Sequence, residues 1–128
     1  MTRRKRKRLL FPSGAVAIEY ALLLPVLLMF VLGIMDVGRL IWTQTTLNRA
    51  VEAAARCGAI DTVNCGTLAK VQTYAVTQAY GLIISSSAFT VSAASCGVRV
   101  VASFPFVFVT PYIATGSLTL SATACYPV

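Results

Sequence analysis

From Ala15 to Met35 the chain reads AVAIEYALLLPVLLMFVLGIM, 21 residues with a single charge, Glu19. No other feature restricts the fold so strongly. A helix of this length spans roughly 30 Å, the hydrocarbon thickness of a bilayer. Just before it lies the basic run Arg3-Arg4-Lys5-Arg6-Lys7-Arg8. That run holds six of the eleven basic residues, and the remainder sets five basic side chains against four acidic ones. The net charge of +7 is therefore a terminal tag and not a basic face, which argues against nucleic acid as a partner. The positive-inside rule places residues 1–14 in the cytoplasm, the span at 15–35, and residues 36–128 outside. A cleaved secretory signal is the alternative. Its apolar core is usually roughly 7–15 residues long and ends in a small-x-small site, which Leu32-Gly33-Ile34-Met35-Asp36 does not offer.

The chain beyond the apolar segment has room for one small domain. Charged residues make up 12% of the 128, against roughly 25% in an ordinary soluble domain, and this shortfall points toward a membrane. An apolar content of 57% excludes disorder for most of the chain. There is no histidine, so histidine-based acid–base or triad catalysis is excluded. Widely spaced cysteines without histidine argue against a zinc site. No catalytic residue, metal ligand set, cofactor or small-molecule substrate is read from the sequence.

Glu19 is the unusual residue of the apolar run. A carboxylate there costs several kcal/mol unless it is paired or neutralised. Either it stays wet near the headgroups, or it meets a positive partner. The residues around it carry a resemblance. A basic leader, Gly14, four residues, Glu19-Tyr20 and a long apolar helix resemble a type IV prepilin-like signal. A closer similarity is to the TadE/TadG-like family of Tad (Flp) pilus pseudopilins, through Gly14, Ala17, Glu19, Tyr20, Ala21, Leu22, Pro25, Gly33, Asp36, Gly38 and Arg39. The run Ala53-Ala54-Ala55-Arg56 is similar to the family's continuation. The resemblance ends near Gly58.

This resemblance implies that a prepilin peptidase cuts between Gly14 and Ala15, on the cytoplasmic face of a bacterial inner membrane. Glu19 becomes the fifth residue of the mature chain. It would then pair with the N-terminal amine of a neighbouring subunit, with Tyr20 beside it. The implied partners are the peptidase, other pilins or pseudopilins, Tad inner-membrane assembly proteins and the lipid bilayer. Physical chemistry agrees with this role. Amine and carboxylate are each costly alone at low dielectric, so their pairing fixes register more than it adds stability. A glycine before the cut leaves the backbone unobstructed in a peptidase cleft. Pro25 frees one carbonyl and permits a bend.

Helical spacing continues past Asp36. Leu40, Leu47, Val51 and Ala54 share one face, while Arg49, Glu52 and Arg56 fall at i,i+3 and i,i+4 on another. The first helix is expected over 15–57, ended by Gly58. Asp36 and Arg39 either pair or form a solvated face. Trp42 either anchors at the interface or packs on the outer domain. A second helix is expected over 67–81, with Leu68, Val71, Ala75, Ala79 and Leu82 as its core stripe, packed on the projecting half of the first.

The last third turns to strand patterns at 89–95, 98–108 and 117–125. Cys96-Gly97 turns the first hairpin, and Pro111 and Gly116 bracket the second loop. Pro105 marks an edge or bulge. Phe104, Phe106 and Phe108 line one face, either as core or as a subunit or lipid contact. The expected class is α+β, with a long transmembrane helix, a second helix and an antiparallel sheet of about three strands. The family resemblance implies a type IV pilin-like arrangement.

All four cysteines lie beyond the apolar segment and suit an oxidising compartment, where three pairings are possible. In an up–down–up sheet the end of the third strand returns beside the start of the second. That brings Cys125 to Cys96 and leaves Cys57 to close a short loop with Cys65. Four reduced thiols are the alternative. A catalytic dithiol lacks a Cys-x-x-Cys motif and an acid–base partner. Three functions therefore stand. The first is a minor pilin or pseudopilin of a Tad machine, the second a non-polymerising single-pass membrane scaffold, and the third a membrane-anchored thiol enzyme.

Overall fold

The computed structural model describes residues 13–110 and 116–128. The basic leader and Pro111 lie outside the described residues. The elements are α1 (Ser13–Ile60), α2 (Leu68–Gln78), a 3-10 turn (Ser86–Ala88), β1 (Phe89–Ala94), β2 (Gly97–Val107) and β3 (Ser117–Tyr126). This is the expected α+β arrangement.

At 48 residues α1 is roughly 72 Å long, and it runs through Pro25 without interruption. Its threonine-rich stretch stays helical because the hydroxyls bond back one turn: Thr43 to Arg39 O, Thr45 to Ile41 O and Thr46 to Trp42 O, each at 2.8 Å. Leu47, Ala50, Val51, Ala54 and Ala55 are buried, so the face read from the spacing is the core face. Arg49, Glu52 and Arg56 form no ion pair; Asp36–Arg39 is the one salt bridge among the described residues.

Gly58 does not terminate α1. The helix passes it by two residues. A Cβ there would stand 3.1 Å from both Val71 Cγ2 and Val98 Cγ1. The glycine lets α2 and β2 approach the helix closely. Asp61 closes the end instead, its carboxylate accepting from the N–H groups of Val63 at 3.0 Å and Asn64 at 2.9 Å. Those bonds, Asn64 first, hold its carboxyl below the usual carboxylate range.

Thr67 caps α2 through its hydroxyl, which accepts from Lys70 N at 3.3 Å. The helix ends at Gln78, short of the expected Gly81, and the chain turns at Gly81 with φ +77°. Val71, Ala75 and Ala79 are buried. Leu68, at the first turn, is exposed and does not join the expected core stripe. Gln72 Nε2 donates to Phe89 O at 2.7 Å and ties α2 to β1.

The sheet is an antiparallel meander, β1-β2-β3. The first pairing runs from Phe89↔Ala102 to Ala94↔Gly97, and the second from Val98↔Tyr126 to Val107↔Ser117. Ser95 and Cys96 form the turn, and Gly97 opens β2 at φ +118°. Pro105 faces Thr119, beyond the last residue of β2 that β1 pairs. It thus occupies a stretch with a neighbour on one side only, where its missing N–H breaks no ladder. Phe106 is buried, with Phe104 and Phe108 packed against the core, so the aromatic stripe is a core feature. Gln44 Nε2 donates to Ser121 O at 2.9 Å and fixes α1 against β3.

The cysteines fall together in two pairs at disulfide distance. Cys57 and Cys65 have Cα atoms 5.7 Å apart, and Cys96 and Cys125 have theirs 6.2 Å apart. Register explains the second pair: Cys125 faces Arg99, three residues after Cys96 at the turn.

Candidate processing and assembly segment

Gly14 is the second residue of α1, and a Cβ added to it would meet nothing within 4 Å. Ala15 and Glu19 are one helical turn apart on the same face, and both are exposed. Tyr20, next to Glu19, is 70% exposed. Among the described residues nothing hydrogen-bonds to Glu19. From Gly14 to Leu32 every residue is exposed, so this apolar surface has no partner among the described residues. α1 contains a stretch long and apolar enough to cross a membrane, and none of that stretch is buried. The residues singled out in the sequence thus share one isolated, extended element. Among the described residues Glu19 forms no ion pair.

At the end of the apolar run the geometry changes sharply. Asp36 is 1% exposed. Its Oδ1 accepts from Arg39 Nη1 at 3.1 Å and from Val109 N at 3.2 Å. Its Oδ2 accepts from Thr110 N at 2.9 Å and from the Thr110 hydroxyl. The Arg39 guanidinium stands 5.3 Å from the centre of the Phe106 ring. The i,i+3 pair read from the sequence is therefore real, but it is half of a larger clamp. Asp36 binds the chain just past β2 to the first turn of α1 beyond the apolar run. Sequence reading missed this role. The partners are backbone N–H groups more than seventy positions away, and backbone donors leave no side-chain signature.

The Thr110 hydroxyl, the Thr110 and Val109 N–H groups and Arg39 hold the Asp36 carboxyl below its ordinary value of 3.8. A carboxyl depressed on folding stabilises above its unfolded value, and that contribution disappears as pH falls through the folded value. Amide protection at Val109 and Thr110, corrected for intrinsic exchange, is therefore expected to hold steady from pH 7 to about 5 and to fall away below about 4. Asp36→Ala should remove it at every pH. Hydrogen exchange of the detergent-solubilised chain measures both, and unchanged protection in Asp36→Ala would dissolve the clamp.

Trp42 is half exposed. Its indole lies against Gly81, where a Cβ would come within 2.6 Å of Cη2. The packing reading of Trp42 holds for part of the ring, which lies on the domain at Gly81, and the rest of the ring is open.

The family model described as TadE-like protein matches residues 14–56. This segment is TadE-like. The match begins at the glycine before the expected cut and ends one residue before Cys57. It covers the isolated apolar stretch, the Asp36–Arg39 pair and the α1 face that carries the core. The match covers a third of the chain and agrees with the TadE/TadG-like resemblance read from the sequence. Neither a curated protein nor a solved structure matches the chain. The region from Cys57 onward therefore rests on its own geometry.

Proposed function

We propose that this protein is a minor pilin or pseudopilin of a Tad (Flp) pilus machine. Residues 1–14 form a cytoplasmic leader, 15–35 cross the bacterial inner membrane, and 36–128 form the extracytoplasmic domain. A prepilin peptidase removes the leader after Gly14. The new amine of Ala15 pairs with Glu19 of an adjacent subunit during assembly or priming. The observation that carries this reading is the isolation of Glu19. It sits with Tyr20 on an apolar helix segment that is exposed throughout and has no partner among the described residues, inside the TadE-like match. A carboxylate so placed is stabilised only by a partner from another molecule or by water at the headgroups. The partners are other pilins, Tad inner-membrane components and the bilayer, and the role is structural, without catalysis. Two disulfides, Cys57–Cys65 and Cys96–Cys125, staple the outer domain. The identity of the first residue of the mature chain tests the reading.

A further inference from the structure

The end of the outer domain nearest the apolar helix carries an exposed apolar rim. Val107 is 64% exposed, Val109 is 65% exposed and Ile83 is fully exposed. Ile83 and Val107 line one groove together with Arg39, Trp42 and Phe106. Exposure alone does not say what meets these side chains, since Val63 at the opposite end of the domain is also 76% exposed. Position does. Asp36 holds Val109 and Thr110 by their N–H groups, and Asp36 directly follows Met35, the last residue of the apolar run. The rim is thereby fixed at the level where the helix leaves the hydrocarbon. On α1 at that level Ile34, Met35, Val37 and Ile41 are exposed as well.

We propose that this rim, formed by Ile83, Val107, Val109 and the open edge of Trp42, lies in the outer lipid–water interface and binds acyl chains and headgroups. The headgroup layer adds roughly 5–8 Å on each side of the hydrocarbon. Trp42 starts six residues, roughly 9 Å, beyond Asp36, and helical side chains lean toward the N-terminus, here toward the bilayer. An indole is well suited to that depth. Arg39, whose side chain is 52% exposed although it pairs with Asp36, keeps donors available for a lipid phosphate. The consequence is orientation. With the helix as its only tether the domain would tilt and rotate with α1, whereas a seated rim holds the sheet at one tilt to the membrane.

The inference rests on the membrane-spanning reading of α1, and the test separates the two. Trp42 is the only tryptophan, so the unaltered full-length chain carries its own probe. Reconstitution uses phosphatidylcholine–phosphatidylglycerol vesicles at high lipid-to-protein ratio, with the phosphatidylcholine brominated either high on the acyl chain or near its methyl end. Trp42 should be quenched more by the shallow bromines than by the deep ones. Moving the probe, as Trp42→Phe with Ile83→Trp or with Val109→Trp, should give the same shallow profile and protection from iodide. Trp42→Phe with Val63→Trp should be open to iodide and untouched by either lipid. Trp42→Phe with Leu27→Trp reports on the span, and quenching by the deep bromines supports it. With Leu27→Trp quenched deeply, free iodide access at positions 42, 83 and 109 overturns the rim. Shielding there from iodide and bromine alike also overturns it and assigns the surface to a second protein. Loss of deep quenching at Leu27→Trp overturns the spanning helix itself.

Discussion

Glu19→Ala is expected to leave the protein inserted and cleaved but to lower filament or secretion counts by roughly 100-fold. Insertion should survive because removing a charge makes the apolar stretch more favourable to the bilayer. Cleavage should proceed because Gly14 and the scissile bond are untouched. Assembly depends on a different balance. In the lone chain Glu19 is exposed on an apolar helix with no partner among the described residues. In the proposed assembly it and the Ala15 amine of a neighbouring subunit satisfy each other. Deleting the carboxylate leaves the amine as a buried, uncompensated charge, and breaking such a pair costs about 3–5 kcal/mol. A hundredfold loss needs only about 2.7 kcal/mol. Filament counts in a strain carrying the mutant, with membrane fractionation and intact mass as controls, read the effect. Normal filaments from an inserted, cleaved mutant would make Glu19 a wet interfacial carboxylate and favour a scaffold that never polymerises.

Replacing Cys96 and Cys125 together by serine should destabilise the outer domain more than replacing Cys57 and Cys65. The first pair encloses a sequence separation of 29 and the second one of 8. Loop-closure entropy in the unfolded chain then gives about 3.6 kcal/mol for the first bond and about 2.5 kcal/mol for the second. For a domain of this size the larger loss corresponds to a fall in melting temperature on the order of 15–25 °C. The long bond also joins the hairpin turn to the end of β3, so its loss frees that end of the β2–β3 pairing. Near-UV circular dichroism of the detergent-solubilised chain measures the order of the two effects. Equal melting temperatures, or peptide maps joining Cys57 to Cys96 or Cys125, would contradict the assigned pairs.

The sequence carried the fold where a single side-chain period decides it. Leu47, Val51 and Ala54 repeat at helical spacing, and that face is buried. Phe104 and Phe106 alternate with exposed neighbours, and that face is the core side of β2. The meander came from strands too close in sequence to cross over. What stayed hidden was set by contacts between distant segments. Gly58 has the composition of a helix stop, yet its use is to admit Val71 and Val98, a fact of tertiary packing. α2 ends three residues before the expected Gly81, which turns the chain at positive φ against Trp42, and the spacing of Ala79 and Leu82 does not encode that turn. The element on which the proposed processing and assembly rest is local and stands in the sequence itself: glycine, four residues, glutamate and tyrosine. The Asp36 clamp was legible only as far as Arg39, its local half.

The measurement that bears most directly on the function is the intact mass and N-terminal sequence of the protein from its native membrane. Removal of 14 of the 128 residues should leave a chain of 114 that begins at Ala15. A Gly14→Leu variant should keep its leader, because a branched side chain at the cut obstructs the extended backbone in the peptidase cleft. A mature chain that still begins at Met1, in cells whose prepilin peptidase is active on other substrates, would contradict the pilin reading. No new amine would then exist for Glu19 to meet, and α1 would be a plain membrane anchor.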